Sequence, residues 1–141
     1  MNDAVARSSI VAGGLLGAAS VAAGAFGAHG LKGMLEATGQ TANWETASRY
    51  ALAHALALVA TGLVAALPAS RHAGRMLAIA AWCFAVGSLV FSGCLWVLAV
   101  SGLRMLGAVV PVGGALLIAG WLLVALGGAR LADGSRIAAP H

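Results

Sequence analysis

Polar residues in this chain fall into narrow bands, and between them lie four nearly unbroken apolar stretches at 9–28, 49–67, 75–100 and 106–128. A helix needs roughly 20 mostly apolar residues to cross a hydrocarbon core, and each stretch supplies about that number. Backbone groups in lipid must satisfy one another, so runs of this length fold as helices. The connections at 29–48, 68–74 and 101–105 each reverse the chain. The pattern predicts an all-α polytopic membrane protein: a single integral-membrane domain over 1–141, built as an antiparallel four-helix transmembrane bundle with a polar tail at 129–141. The first stretch also has features of a secretory signal, with Arg7 before it and Ala23-Gly24-Ala25 near its end. Its apolar run exceeds the roughly 7–15 residues of a signal core, which favours a permanent span.

The long connection between spans one and two has a pattern of its own. Leu31, Met34 and Leu35 recur at helical spacing, and Lys32 and Glu36 stand an i,i+4 step apart. This predicts a short helix lying in the membrane interface. Asn43 is the expected N-cap of an early-starting second span, with Glu45 near the positive end of its dipole and Arg49 one turn further on. Trp44 and Tyr50 mark the headgroup level.

Small residues line up on two of the spans. In span one Gly13, Gly17, Ser20, Gly24 and Gly27 step by four, three, four and three along one face. In span four Gly113, Gly120 and Gly127 follow heptad spacing. Lipid tails are as apolar as leucine, so helices associate in a membrane through close approach and interhelical hydrogen bonds, and these faces are the expected packing surfaces. Span three contributes Gly87, Ser88 and Phe91-Ser92-Gly93-Cys94. Pro111 reads as the first turn of a helix starting near Val110, where its missing N–H is harmless, or as a kink further inside.

Composition strengthens the membrane reading. Hydrophobic residues make up 61% and charged residues 9% of the chain, a balance that a soluble domain of this size could not bury. The net charge of +4 comes from cations scattered singly between apolar runs, with no basic stripe, which argues against nucleic acid as a partner. Arg7, Arg71, Arg75, Arg130 and Arg136 fall on the side of the termini, against Lys32, Arg49 and Arg104 opposite. The positive-inside rule then places both termini in the cytoplasm. Cys83 and Cys94 lie in one apolar run, roughly 16 Å apart along a helix, too far to bridge each other. They read as packing residues.

Five separated stretches carry a resemblance: Ala25-Phe26-Gly27-Ala28-His29-Gly30-Leu31-Lys32, the Trp44 to Ala57 segment with Thr46, Ala47, Tyr50 and His54, Phe91-Ser92-Gly93, Pro111-Val112-Gly113-Gly114, and Gly120-Trp121. Together, and in this order, they resemble the small membrane proteins of the domain of unknown function 423 (DUF423) family. The resemblance implies a four-span bundle in the bacterial inner membrane, without an established reaction. Three positions depart from the family's pattern: Ala51 and Cys94 replace a polar residue and a serine, and Val110 replaces a threonine before the proline. Each departure removes side-chain hydrogen-bonding capacity.

The candidate chemistry is sparse. His29 ends span one and His54 lies just inside span two, towards the same membrane side, with Tyr50 one turn before His54. These two histidines with Glu45, Arg49 and Tyr50 form the candidate polar cluster, read either as helix-end groups bonding across the bundle or as a proton or solute path. No third ligand has metal-site spacing, since His72 lies in the opposite connection and His141 at the tail, so no metal or cofactor is expected. Nucleophile elbows and phosphate loops are likewise missing, and no enzyme is expected. Two functions remain. One is a structural or accessory bundle that binds lipid or a membrane partner, as a homo-oligomer or in a larger complex. The other is a small oligomeric transporter or channel using the His29/His54 cluster.

Overall fold

The structure, a computed structural model, describes residues 2–68 and 73–137, with side chains described for 3–68 and 73–130. Arg71, His72 and His141 lie outside the described residues, as do the side chains of Asp133 and Arg136. Five helices follow one another: α1 (Asn2–Ala28), α2 (Lys32–Ala37), α3 (Thr41–Ala65), α4 (Gly74–Ser101) and α5 (Leu106–Ile137). All but α2 are long and apolar enough to cross a membrane. The backbone of α5 stays helical to Ile137, through most of the segment expected as a polar tail. Helix-forming Ala129, Arg130, Leu131 and Ala132 follow the Gly127-Gly128 pair and carry the helix on.

Helix ends follow local chemistry. Gly39 takes a left-handed φ of +67°, and the N–H groups of Gly39 and Gln40 return to the carbonyls of Glu36 and Leu35, the paired bonds of a Schellman stop. Gln40 rather than Asn43 therefore occupies the N-cap of α3, and the Asn43 amide donates to the Gln40 side chain at 2.8 Å. Gly102, at φ +71°, ends α4 in the same conformation. Helix α5 starts at Leu106 through tight three-residue bonds, five residues before Pro111. The proline thus lies in the second turn rather than the first. It removes one bond to the exposed Gly107, which the helix tolerates so near its start.

The four long helices form an antiparallel bundle in which neighbours in sequence are neighbours in space. Helix α1 packs on α3, α3 on α4 and α4 on α5, and α1 touches α4 lightly, whereas α1 and α5 share no packed interface. Only 17% of the apolar window of α1 and of α5 is buried, against 44% for α3 and 39% for α4, so α1 and α5 present most of their surface outward. Leu15, Val21, Phe26, Ile118, Leu122 and Leu126 lie on those outward faces and suit lipid tails. The core sits between α3, α4 and α5, around Leu58, Ala80, Phe84 and Leu117. Helix α2 crosses one end, burying Leu35 against Trp44 and Ala99.

The glycine faces meet their neighbours at selected points. A Cβ placed on Gly13 would stand 2.8 Å from the Ala55 carbonyl oxygen, and one on Gly27 would enter the Trp44 indole. At Gly113 it would stand 2.5 Å from the Phe91 backbone nitrogen, and at Gly120 2.7 Å from the Phe84 ring. Gly17 and Gly127 leave ordinary contact distance, 3.6 Å to Ala55 and 3.7 Å to Leu77, and Gly24 faces open space. On the partner side of the α1–α3 seam Gly62 is as tight as Gly13, its Cβ position 2.9 Å from the Ala6 carbonyl oxygen.

Candidate functional site

At the end of the bundle where α2 lies, hydroxyl and indole groups tie three helices together. Ser20 on α1 donates to the Ser48 carbonyl of α3 at 2.7 Å, and the Trp44 indole donates to the Ala23 carbonyl at 2.8 Å. The Ser48 hydroxyl donates to the Trp44 carbonyl one turn back and accepts the Trp96 indole of α4 at 3.2 Å. Trp44 and Trp96 stand with ring centroids 6.3 Å apart. Each bond crosses between helices or holds a group that does, and in lipid such bonds are worth about 1 kcal/mol each.

Three other serines contrast with this network. The hydroxyls of Ser9, Ser88 and Ser92 are buried and find no hydrogen-bond partner among the described residues. Ser48→Ala is expected to lower stability in detergent by about 1 kcal/mol, because it strands the Trp96 N–H. Ser88→Ala and Ser92→Ala remove a hydroxyl that bonds to nothing, and are expected to change stability by less than about 0.5 kcal/mol or to raise it. Thermal unfolding of the three variants checks this contrast. A loss at Ser88 equal to that at Ser48 would contradict it.

Deeper along α3, His54 is buried and both ring nitrogens are engaged. Nδ1 lies 2.7 Å from the Tyr50 carbonyl oxygen one turn back, and Nε2 lies 3.1 Å from the Trp121 indole nitrogen of α5. An indole N–H only donates and a carbonyl only accepts, so the pair of partners selects one tautomer: Nδ1 carries the proton and Nε2 offers its lone pair. Rings enclose the imidazole, with Tyr50, Phe84 and Trp121 centroids at 5.9, 5.7 and 6.1 Å. Phe84 and Trp121 meet edge to face at 5.2 Å, and Tyr50 stacks on Phe91 at 4.6 Å. One aromatic chain thus joins α3, α4 and α5 through the histidine.

The candidate cluster read from the sequence divides into separate places. His54 faces α4 and α5, and Tyr50 meets it by ring stacking and through its backbone carbonyl. His29 is exposed at the end of α1, its backbone N–H bonded to the Ala25 carbonyl. Glu45 and Arg49 are exposed on another face of α3, where they line a cleft of about 580 Å³ between α1, α2 and the start of α3. Lys32 and Glu36 of α2 line the same cleft. No group of three His, Cys, Asp or Glu gathers closely enough among the described residues to hold a metal ion, and both cysteines are free thiols.

Comparison with known proteins adds the family. The model of a protein of unknown function, DUF423, matches residues 23–114. A UPF0382 membrane protein of Staphylococcus haemolyticus is 40% identical over 115 residues, covering 82% of this chain and 89% of its own. One of Staphylococcus saprophyticus is 37% identical, covering 84% and 93%. The UPF0382 membrane protein YwdK of Bacillus subtilis is 34% identical, covering 82% and 90%.

The chain belongs to the DUF423 family. With its four apolar helices and relatives named membrane proteins, it is a multi-pass membrane protein. The DUF423 match runs from the last turns of α1 to Gly114 on α5, so it contains Trp44, Ser48, His54, Phe91 and Trp96 and stops before Trp121. No solved structure matches the chain.

Proposed function

We propose that this DUF423 protein is a non-catalytic structural or accessory bundle of the bacterial inner membrane that binds lipid or a membrane partner. The carrying observation is the closure of His54, whose two nitrogens are both held by the protein's own groups at 2.7 and 3.1 Å. An intramembrane ionisable residue serves first as a candidate for a transport path. Here it bonds helix to helix, and the other candidate histidine stands apart at the surface. The outward faces of α1 and α5 leave room for self-association or for a larger complex.

Reconstitution into liposomes separates this reading from a small transporter or channel. Proton and small-solute flux is expected to match that of empty liposomes, and His29→Ala and His54→Ala are expected to leave it there. Flux well above the background that either substitution removes would overturn the accessory role. Both termini belong in the cytoplasm on the charge bias, with Arg7, Arg75 and Arg130 at that end of the helices. Reporter tags fused to either end test this, and periplasmic readings from both would reverse the orientation.

A further inference from the structure

We propose that the cleft between α1, α2 and α3 is a binding site for a zwitterionic phospholipid headgroup bearing a primary ammonium, of the phosphoethanolamine class. The inference rests on the accessory, lipid-binding reading above and names the lipid chemistry. Four charged side chains line the cleft, two of each sign: Lys32 and Glu36 from α2, Glu45 and Arg49 from α3. All four are exposed, and among the described residues they close no ion pair with one another. Each helix carries one cation and one carboxylate four residues apart, roughly 6 Å along the axis. That is the scale of a phosphate joined to an ammonium by two carbons.

The position of the cleft decides what reaches it. It opens where α1 ends at Ala28 and α3 begins at Thr41, beside Trp44 and Trp96, which is the level at which aromatic side chains border lipid headgroups. Below the charged rim its wall is apolar and low: Leu35 and Trp44 are buried, and Gly24 has open space where a side chain would stand. A charged rim over a shallow apolar wall matches a headgroup with the first carbons of its chains. Lys32 and Arg49 would take the phosphate oxygens by charge-assisted bonds. Glu36 and Glu45 would accept the ammonium N–H groups.

The same charges discriminate between headgroups. Two carboxylates oppose an anionic lipid that brings no cation, and the four charges sum to zero, so no general attraction to anions arises. A quaternary ammonium has no N–H to donate to either carboxylate. The expected order is phosphatidylethanolamine first, with phosphatidylcholine and phosphatidylglycerol behind.

The test measures retention of the three lipids with identical acyl chains by the full-length detergent-purified protein, using native mass spectrometry. Phosphatidylethanolamine is expected to bind about tenfold more tightly than phosphatidylcholine, the scale of losing charged hydrogen bonds. Glu36→Gln with Glu45→Gln is expected to abolish that preference, and Lys32→Gln with Arg49→Gln to weaken both lipids. These side chains are exposed, and an unchanged thermal midpoint verifies that each variant folds. Equal retention of all three lipids, or a preference for phosphatidylglycerol, would overturn the site. Displacement by water-soluble glycerophosphoethanolamine at equal concentration would also overturn it, moving the ligand from the bilayer to solution. Absent selectivity without liposome flux removes only this site, whereas flux removes the reading beneath it.

Discussion

Gly113→Ala is expected to unfasten α5 from α4 and to leave the purified protein aggregated or sharply less heat-stable in detergent, a loss of about 3 kcal/mol or more. The added methyl would stand 2.5 Å from the Phe91 backbone nitrogen and 2.9 Å from its Cα. A flexible side chain could swing aside, but a helix backbone moves only if the two helices separate. Separation at this point also opens the contact at Gly87, whose Cβ position lies 3.1 Å from the Gly113 carbonyl oxygen. The internal control is Gly127→Ala on the same helix, where the nearest atom is 3.7 Å away and little change is expected. Thermal midpoints of the two variants decide the matter. Equal midpoints would mean that the α4–α5 seam is looser than this geometry.

That contrast marks how far a sequence pattern reaches. Period and residue size identify a face, so Gly113, Gly120 and Gly127 are recognisable together as one small stripe. Which of them touches depends on what the neighbouring helix offers at that height: backbone at Phe91, a ring at Phe84, and only an ordinary contact at Leu77. The same holds on α1, where Gly13 meets a carbonyl oxygen and Gly24 meets nothing. Gly62 belongs to this seam and carries no stripe of its own, so its spacing gives no hint of it. The spans themselves are legible because a bilayer imposes one length and one polarity on every crossing element. Helix α2 is legible for a related reason: its apolar residues must dock one way, and Leu35 does so, buried against Trp44.

The polar cluster is harder to read because height along a helix and direction around it both decide which side chains meet. A second span read as starting at Arg49 puts His54 near the end that holds α2, but α3 runs from Thr41 to Ala65, so His54 stands near its middle while His29 lies just past the end of α1. Successive residues on a helix point about 100° apart, so Ala55, which packs on Gly13 and Gly17 of α1, turns its neighbour His54 away from α1. His54 accordingly finds Phe84 and Trp121, one of them 67 residues away in sequence. The Gly120-Trp121 pair is visible as a motif, but nothing in its spacing connects it to a histidine. Because the helices pack in chain order, α3 separates what α1 carries from what α5 carries, and His54 is directed at α4 and α5, away from the helix that His29 follows.

The His54–Trp121 bond is expected to be the most costly polar contact to break, and a double-mutant cycle isolates it. His54→Ala removes a buried ring that touches Tyr50, Phe84 and Trp121, and is expected to lower stability by about 3–4 kcal/mol, combining lost packing with one lost interhelical bond. That single value does not separate the bond from the ring. His54→Phe keeps an aromatic ring and removes both ring nitrogens, whereas Trp121→Phe keeps an aromatic ring and removes the N–H. If the indole donates to Nε2, each phenylalanine variant leaves a partner unsatisfied, and the double variant loses less than the sum of the two. The expected coupling is about 1 kcal/mol, read from thermal or denaturant unfolding in detergent. Strict additivity would mean that the rings pack without bonding, which would free Nε2 and reopen His54 as a transport residue. The stability cycle therefore bears on function as well, since the accessory reading requires that the lone pair of Nε2 already be in use.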